Sequence, residues 1–305
     1  MIKRIKSKLP SIWKDTPKEF LEMYSVSKVK TISKERCEVE INYATSLNFS
    51  KDRKTILFLH GLSNNWLSWI PVAKLLEEEY NVVLMDMPGF GESSRLDKYN
   101  IEIISNTVAD FISALALKID TVTGLCAGAV ITFDLAMNHP EIADKFIPFA
   151  MPTAYFNNYP LVNKTVLTLL YTMSNVSLAD KLWKYILSSS AARYMVTKYI
   201  NTYDYNNVKD LTNKYGKIGI TQMDSKTWMD LAVDINKYDF EKFTELRSKV
   251  KMVYGDKDKV SFNGGMVEKF KNSDILEIEI FENIGHLPNM EDPKRSAEVI
   301  KSFTG

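Results

Sequence analysis

One cysteine of this chain stands in a local pattern that suits nucleophilic chemistry. Cys126 lies in the pentapeptide Gly124–Gly128, after an apolar stretch from Val122 to Leu125 that predicts a strand and before a stretch that predicts a helix. A turn that projects its middle side chain outward holds a strained backbone, so the residues two positions away on either side must be small. The start of a helix also favours the thiolate, the nucleophilic form of cysteine. The alternative is that Cys126 is a small buried side chain in a glycine-rich turn.

A cysteine nucleophile needs a base within hydrogen-bonding distance, and the chain contains three histidines. His139 precedes a proline at the end of a predicted helix, where a capping or surface role explains it. His60 and His286 each follow directly after a predicted strand. The residues alone therefore leave His60 and His286 as the two candidates for the base.

Apolar patterns predict the strands that hold these residues. Thr55–Leu59 and Val82–Met85 are almost uninterrupted apolar runs, typical of central strands that helices cover on both faces. Cys37–Tyr43 and Leu276–Ile280 alternate apolar with polar residues, so we expect them nearer the edges of the sheet with one wet face. A further strand is predicted over Lys249–Tyr254.

Helical patterns separate the predicted strands. They cover Trp69–Glu79, Ile101–Leu115 and, at the end of the chain, about Lys294–Phe303. Strands that alternate with helices of this length predict βαβ units and a mostly parallel sheet. We therefore expect an α/β fold with a central sheet that helices flank.

The interval from residue 152 to residue 246 has a different character. It lacks buried-strand runs, contains little glycine and is rich in aromatic residues and methionine, which favours a helical insertion. We expect most of these side chains to pack the insertion's own core and a few to line a space that it encloses. They are Tyr155, Phe156, Tyr171, Met173, Trp183, Tyr185, Tyr194, Met195, Tyr199 and Trp228.

Further motifs, in order along the chain, carry a resemblance to a known family. His60-Gly61 follows the first long apolar run, and Asp86–Ser93 reads DMPGFGES. Gly255–Asp258 reads GDKD, and Gly285-His286 follows the last predicted strand. Together with the Gly124–Gly128 turn, these motifs span residues 55–293. They resemble those of the α/β-hydrolase fold family, in particular its cap-bearing esterases, carbon–carbon bond hydrolases and dehalogenases.

The resemblance implies a catalytic triad in the family's chain order of nucleophile, acid and histidine. Cys126 would be the nucleophile and His286 the base. The acid would come from the GDKD loop, where Asp256 and Asp258 are both candidates and spacing favours Asp258.

Other residues would then shape the site. His60 and Gly61 are expected to form the oxyanion loop, and Gly124 and Gly128 to make room for the turn. The backbone N–H groups of Leu62 and Ala127 would be the donors that hold the oxyanion.

The resemblance also implies a domain organisation. Residues 1–151 and 247–305 would form the α/β-hydrolase core, and residues 152–246 a helical cap, or lid, between the sixth and seventh strands.

The cysteine departs from the family pattern, because most relatives carry serine or aspartate at that position. The absence of an aspartate there argues against dehalogenase or epoxide hydrolase chemistry, which the resemblance associates with a carboxylate nucleophile. Whether Cys126 is native or replaces a serine stays open.

These residues predict a hydrolase that cleaves an ester or thioester of an apolar acyl group through an acyl-enzyme. A thioester intermediate is also open to attack by amines, so acyl transfer is a second possible outcome. The alternatives are a carbon–carbon bond hydrolase and a non-catalytic ligand-binding protein on the same fold. Ester turnover that is lost in Cys126→Ala and His286→Ala would separate an enzyme from a receptor.

The composition excludes several other classes. With 39 basic and 38 acidic residues the chain has no excess charge for nucleic acid, and dispersed histidines predict no metal site. No dinucleotide motif is evident, so we expect no cofactor and a small-molecule substrate. The chain contains no run of about 18 apolar residues, so we expect no membrane span.

Localisation is predicted from the ends and the cysteines. No apolar stretch follows the basic residues Lys3, Arg4, Lys6 and Lys8, so we expect a solvated tail and no signal peptide. Two distant cysteines favour a reduced, cytoplasmic protein. The sequence does not predict an oligomeric state.

Overall fold

An eight-stranded sheet forms the centre of the part of the chain that the computed structural model describes. The described residues are 20, 22–32, 38–153, 185, 189–216, 218–219, 222, 225–261 and 264–305. The strands are β1 (Tyr24–Ile32), β2 (Glu38–Ser46), β3 (Thr55–Leu59), β4 (Asn81–Met85), β5 (Ile119–Leu125), β6 (Ala143–Phe149), β7 (Lys249–Gly255) and β8 (Glu277–Phe281).

The strand order is β1-β2-β4-β3-β5-β6-β7-β8. β2 is antiparallel to β1 and to β4, and the remaining neighbours are parallel. The prediction of a mostly parallel sheet is therefore confirmed. Because parallel strands end at the same edge, the loops that follow β3, β5, β6, β7 and β8 lie together, which is where the chemistry-bearing residues are.

The helices of the described residues are α1 (Ile70–Ala73), α2 (Ile101–Leu115), α3 (Ala127–Asn138), α4 (Ser190–Val196), α5 (Tyr205–Leu211), α6 (Ser225–Ile235), α7 (Gly264–Lys271), α8 (Pro288–Glu291) and α9 (Pro293–Thr304). Shorter 3₁₀ segments cover Trp66–Trp69, Pro140–Ile142 and Phe240–Glu245, and π-helical turns cover Thr197–Asn201 and Thr212–Gly216.

One predicted helix is wrong in its bounds. In place of a continuous helix over Trp69–Glu79, a 3₁₀ turn leads into α1, which ends at Ala73. Beyond Ala73 the backbone hydrogen bonds are of both the α and the 3₁₀ type. The Ala73 carbonyl accepts the N–H of Glu77, four residues later, and the N–H of Leu76, three residues later. The apolar spacing alone did not reveal this mixture.

The central strands are buried on both faces, as their apolar runs predict. In β3, Leu57 and Leu59 face a cluster with α2 and α3, and Ile56 and Phe58 face a cluster with α1 and α9. Alternate side chains of a strand point to opposite faces, so a continuous apolar run requires cover on both sides.

The alternating strands are partly as predicted. In β2, Val39 and Ile41 are buried, but Asn42 is buried too because its amide donates to Asp86. β8 lies at the edge of the sheet, as expected. β2 is covered on one side by β1, a strand that the sequence did not predict because its residues are largely polar.

Within the described part of residues 152–246, helices α4 to α6 lie between β6 and β7. Of the aromatic and methionine side chains expected to pack an insertion core, Tyr155, Phe156, Tyr171, Met173 and Trp183 lie outside the described residues. Tyr185, Tyr194, Met195 and Tyr199 are exposed, whereas Trp228 is partly buried against the main core cluster. The expectation that most of the ten pack an insertion core stays a prediction. The division into core and cap at residues 152 and 246 stays a prediction.

Among the described residues, no helix combines the length and apolar character needed to cross a bilayer.

Candidate active site

The backbone at Cys126 is strained in the way that a projecting turn requires. Cys126 joins β5 to α3 with φ 55° and ψ −115°, in the region of positive φ that side chains other than glycine rarely adopt. Its N–H donates to the Phe149 carbonyl at 3.0 Å, which ties the turn to the end of β6. The side chain is 6% exposed, so the turn presents its sulfur at the edge of the sheet in a nearly dry setting.

The two glycines that flank this turn leave no room for a side chain. A Cβ atom on Gly124 would lie 2.1 Å from the Gly128 carbonyl oxygen. One on Gly128 would lie 2.5 Å from the carbonyl oxygens of Leu59 and His60. The glycine spacing noted in the sequence therefore has the steric cause that was expected.

His286 and Asp258 form a buried pair. The Nδ1 atom of His286 lies 3.0 Å from Oδ2 of Asp258, and both side chains are at most 5% exposed. The second carboxylate oxygen of Asp258 accepts the N–H groups of Val260 at 2.8 Å and Ser261 at 2.9 Å. The carboxylate is thus fixed by the backbone while it faces the ring.

The other candidate acid points elsewhere. Asp256 pairs with Lys257 at 2.6 Å and accepts the Ile284 N–H at 3.4 Å, and its side chain is 27% exposed. Of the two aspartates in the GDKD loop, the structure brings Asp258 to His286.

Burial and two neighbouring side chains together set the pKa of His286. Burial alone would lower the pKa of His286, but the Asp258 carboxylate and the Cys126 side chain, which hydrogen-bonds to the ring, raise it well above its ordinary value. Since Asp258 occupies Nδ1, the Nε2 side of the ring is left for the sulfur. The raised pKa of His286 favours a protonated ring that the Asp258 carboxylate holds at Nδ1.

Ser261 was missed by the sequence reasoning. Its hydroxyl is fully buried, donates to the Ala150 carbonyl at 2.7 Å and lies 3.1 Å from Nδ1 of His286. Ala150, the residue after β6, has a positive φ of 48°. Because the hydroxyl proton is used on Ala150, its oxygen is free to accept from the ring N–H. A serine three residues after the acid was the available signal.

His60 has both ring nitrogens occupied by backbone. Its Nε2 accepts the Met87 N–H at 3.1 Å, so its Nδ1 carries the proton that is donated to the Gly61 carbonyl at 2.8 Å. Burial lowers the pKa of His60 to about 4, against a smaller opposite effect of the Gly61 bond. A neutral ring that holds the backbone of its own loop suits a shaping role better than proton transfer.

The loop that precedes Leu62 lies against the Cys126 turn. A Cβ atom on Gly61 would be 3.1 Å from the Cβ of Cys126 and 3.9 Å from its Sγ. Ala127 is the first residue of α3, and the N–H groups of a first helical turn have no acceptor within the helix. That these two amides hold an oxyanion stays a prediction.

The DMPGFGES segment is built around a buried carboxylate. Asp86 accepts hydrogen bonds from the Asn42 side chain and from the N–H groups of Trp66 and Glu92 at 2.8–3.0 Å. Burial raises the pKa of Asp86 to about 6, although these bonds oppose it. A Cβ on Gly91 would collide with the same carboxylate. Asp86 therefore holds in place the segment whose Met87 N–H donates to His60.

Glu291 joins the His286 loop to the helices between β6 and β7. Its carboxylate accepts the N–H groups of Gly285 at 3.0 Å, Leu287 at 3.2 Å and Tyr203 at 2.8 Å. The His286 N–H donates to the Asn201 carbonyl at 2.7 Å. The loop that carries the base is thus held from both sides. Within the described residues, no group of three or more histidine, cysteine, aspartate or glutamate side chains is arranged to hold a metal ion.

Comparison with known proteins agrees with this architecture. Epoxide hydrolase 1 of Caenorhabditis elegans is 28% identical over 106 residues, which are 34% of this chain and 26% of that protein. The chain thus spans about a quarter of that curated relative.

Two solved structures share the fold. An enol-lactonase from Burkholderia xenovorans LB400 matches with a TM-score of 0.72 and 14% identity, over 90% of this chain and 98% of that one. An esterase from Thermogutta terrifontis matches with a TM-score of 0.69 and 17% identity, over 90% and 97%. The sequence pattern described as alpha/beta hydrolase fold matches residues 54–293, well over half of the chain. The chain belongs to the α/β-hydrolase fold family.

Proposed function

We propose that this protein hydrolyses an ester or thioester of an apolar acyl group through Cys126, His286 and Asp258. The observation that carries the proposal is the buried pair of His286 Nδ1 and Asp258 Oδ2 at 3.0 Å, and it is supported by the effect of the Cys126 side chain on the pKa of the same ring. A nucleophile on a strained turn, a base beside it and an acid that orients the base form the arrangement that acyl transfer requires.

The proposed reaction has two halves. The Cys126 thiolate attacks the acyl carbonyl, and the oxyanion that forms accepts from the N–H groups of Leu62 and Ala127. When the tetrahedral intermediate collapses, the imidazolium of His286 protonates the leaving alcohol or thiol and becomes neutral. Neutral His286 then takes a proton from water, the hydroxide attacks the thioester, and the acid leaves as the sulfur returns to thiolate.

Asp258 acts through His286 in both halves. Its carboxylate fixes the ring and stabilises the positive charge that His286 carries. We propose that residues 152–246 form the cap over this site and supply its apolar surface, since ligand pockets are mostly apolar with a few polar groups. The abundance of aromatic residues and methionine in that interval supports an apolar acyl group.

Acyl transfer to an amine is the second outcome that we propose. The intermediate would be a thioester, in which the carbonyl is more open to amines than in the ester that a serine forms. Finding only free acid when activated acyl substrate is incubated with an amine would count against transfer.

Epoxide hydrolysis fits this chain poorly, although relatives with that name match about a third of it. A thiolate that opens an epoxide forms a thioether, which has no carbonyl for water to attack. We expect an epoxide to label Cys126 once and stop. Carbon–carbon bond hydrolysis and ligand binding without turnover are the remaining alternatives.

Intact-mass measurement tests the proposal. The protein is exposed to a panel of acyl esters and thioesters, and we expect an adduct of one acyl mass whose size identifies the preferred group. Cys126→Ala should abolish the adduct and turnover, and His286→Ala should abolish turnover. Cys37→Ala and His139→Ala are the matched controls and should behave as the unchanged protein. Turnover that survives Cys126→Ala would exclude the proposed nucleophile.

A further inference from the structure

Exposed apolar side chains are concentrated in one short segment. Among the residues that the structure describes, nine large apolar or aromatic side chains are more than a third exposed, and five of them lie between residues 194 and 203. We call these five the tyrosine patch: Tyr194 (37%), Met195 (54%), Val196 (37%), Tyr199 (52%) and Tyr203 (52%). Single exposed apolar residues are common, but such a cluster marks an interaction surface.

Most of the charge at the tyrosine patch is positive, with Asp204 and Glu291 only at its Tyr203 end. The segment from residue 189 to residue 203 contains Arg193 and Lys198 and no acidic residue. The ammonium group of Lys198 lies 5.0 Å from the ring centre of Tyr194 and 5.3 Å from that of Tyr199. Exposed Lys259 donates to the Tyr199 carbonyl at 3.1 Å. Cations therefore surround the exposed rings.

The tyrosine patch is fastened to the candidate active site. Its segment includes Asn201, whose carbonyl accepts the His286 N–H, and Tyr203, whose N–H donates to Glu291 beside the His286 loop. If the protein binds a surface through the tyrosine patch, the proposed active site lies close to that surface.

We infer that the tyrosine patch docks on the surface of an anionic phospholipid bilayer. Tyrosine suits the boundary between headgroups and acyl chains, since its ring is apolar and its hydroxyl is polar, and lysine can rest its stem on the apolar layer while its charge meets phosphate. Aromatic and apolar residues with interleaved cations and no acids are the pattern of segments that lie in this boundary. A protein partner would need an acidic apolar face, whereas an anionic membrane offers both features everywhere.

The inference deepens the proposed function and rests on it for the substrate. An apolar acyl group held in a membrane would reach Cys126 from the surface on which the protein is docked. Docking itself needs no turnover, so it is measurable separately.

The test is sedimentation with phosphatidylcholine vesicles that contain about 30 mol % phosphatidylglycerol, compared with pure phosphatidylcholine. We expect binding to the anionic vesicles and weak binding to the neutral ones. Met195→Ser with Tyr199→Ser should weaken binding by at least about tenfold, and Lys198→Glu by about fivefold. The matched controls, Leu47→Ser with Leu75→Ser and Lys51→Glu, change exposed residues elsewhere and should bind as the unchanged protein.

Three results would overturn the inference. One is the absence of binding to anionic vesicles. Another is binding that survives the patch variants but is lost when Lys3, Arg4, Lys6 and Lys8 are changed to glutamine, because the basic tail would then be responsible. The third is a patch-dependent dimer by light scattering without lipid binding, which would make the patch an interface between two copies.

Turnover of a water-soluble short-chain ester separates this inference from the proposed function. We expect Lys198→Glu, which changes a charge over the exposed rings and none of the proposed apolar pocket, to retain that turnover while it loses vesicle binding. Vesicle binding by a protein without ester turnover would contradict the proposed function and leave the docking surface standing.

Discussion

At the scale of single residues, the charge of His286 has a consequence for stability. Its pKa in the folded protein is raised well above the ordinary value of about 6.5 by Asp258 and Cys126. A raised histidine pKa stabilises the folded protein fully below the unfolded pKa, and this contribution is lost as pH rises through the folded pKa. We expect the unfolding free energies of the unchanged protein and His286→Gln to differ more at about pH 6 than at about pH 9.

Denaturant unfolding at both pH values measures this difference. His139→Gln, which changes a histidine at the far end of α3, serves as the control. If the difference in unfolding free energy between the unchanged protein and His286→Gln grows as pH rises, His286 is neutral in the folded protein at both pH values.

Ser261 is expected to position His286. Ser261→Ala removes the oxygen that lies 3.1 Å from Nδ1 and leaves the Ala150 carbonyl without its donor. Losing one such bond is worth about 1 kcal/mol, so we expect kcat to fall by about fivefold with KM little changed. Steady-state kinetics on the preferred ester measures both constants.

The control variants for Ser261 address structure. Ser261→Thr keeps a hydroxyl and should recover most of kcat, while Ser302→Ala removes a hydroxyl from α9 and should change nothing. Equal losses in Ser261→Ala and Ser261→Thr would indicate packing and not the hydrogen bond.

The residues of the proposed triad could be singled out in the sequence because each sits in a local pattern. Gly124 and Gly128 indicate the turn at Cys126, and Gly285 directly precedes His286. The position of Ser261 three residues after Asp258 was too weak a signal, since its role depends on a carbonyl 111 residues away in the chain.

At the scale of the elements, the turn between β5 and α3 should tolerate no added methyl group. Gly124→Ala would place a Cβ 2.1 Å from the Gly128 carbonyl oxygen, in backbone that cannot move aside. We expect a loss of about 3 kcal/mol in the free energy of unfolding, measured with denaturant. Gly216→Ala is the matched control, because no atom lies within 4 Å of its added Cβ, and it should change stability by less than about 0.5 kcal/mol. Equal effects of the two substitutions would show that the close approach is not rigid.

Elements with a clear pattern and an end signal were predicted best. α2 has the predicted bounds, and Asn100 caps it by accepting the Ile103 N–H at 2.7 Å. β1 escaped prediction because serine and lysine interrupt its apolar residues, and it forms by pairing along the whole of β2. Such a strand is decided by its neighbour more than by its own residues.

At the scale of the whole molecule, the order of the motifs along the chain was enough to predict a mostly parallel sheet and the edge at which the motifs meet, but not strands β1 and β6. The contacts between the His286 loop and residues 201–203, which lie between α4 and α5, were not predictable, because Glu291 reaches Tyr203 across 88 residues. Long-range contacts of this kind leave no spacing in the sequence.

Glu291→Ala tests whether those contacts couple the two regions. Three partly buried or exposed N–H groups would lose their acceptor, and each lost hydrogen bond is worth about 0.5–1.5 kcal/mol. We expect faster hydrogen exchange of residues 201–204 and 285–287 together, with Glu298→Ala on exposed α9 surface as the control. Faster exchange in only one of the two stretches would contradict the coupling.

Alkylation of Cys126 by iodoacetamide as a function of pH tests the central claim most directly. If His286 holds the sulfur as a thiolate, Cys126 should react rapidly at pH values well below about 8.5, the pKa of an ordinary thiol, and His286→Ala should slow the reaction there. Cys126 that reacts no faster than Cys37 in the unfolded protein, with or without His286, would contradict the account.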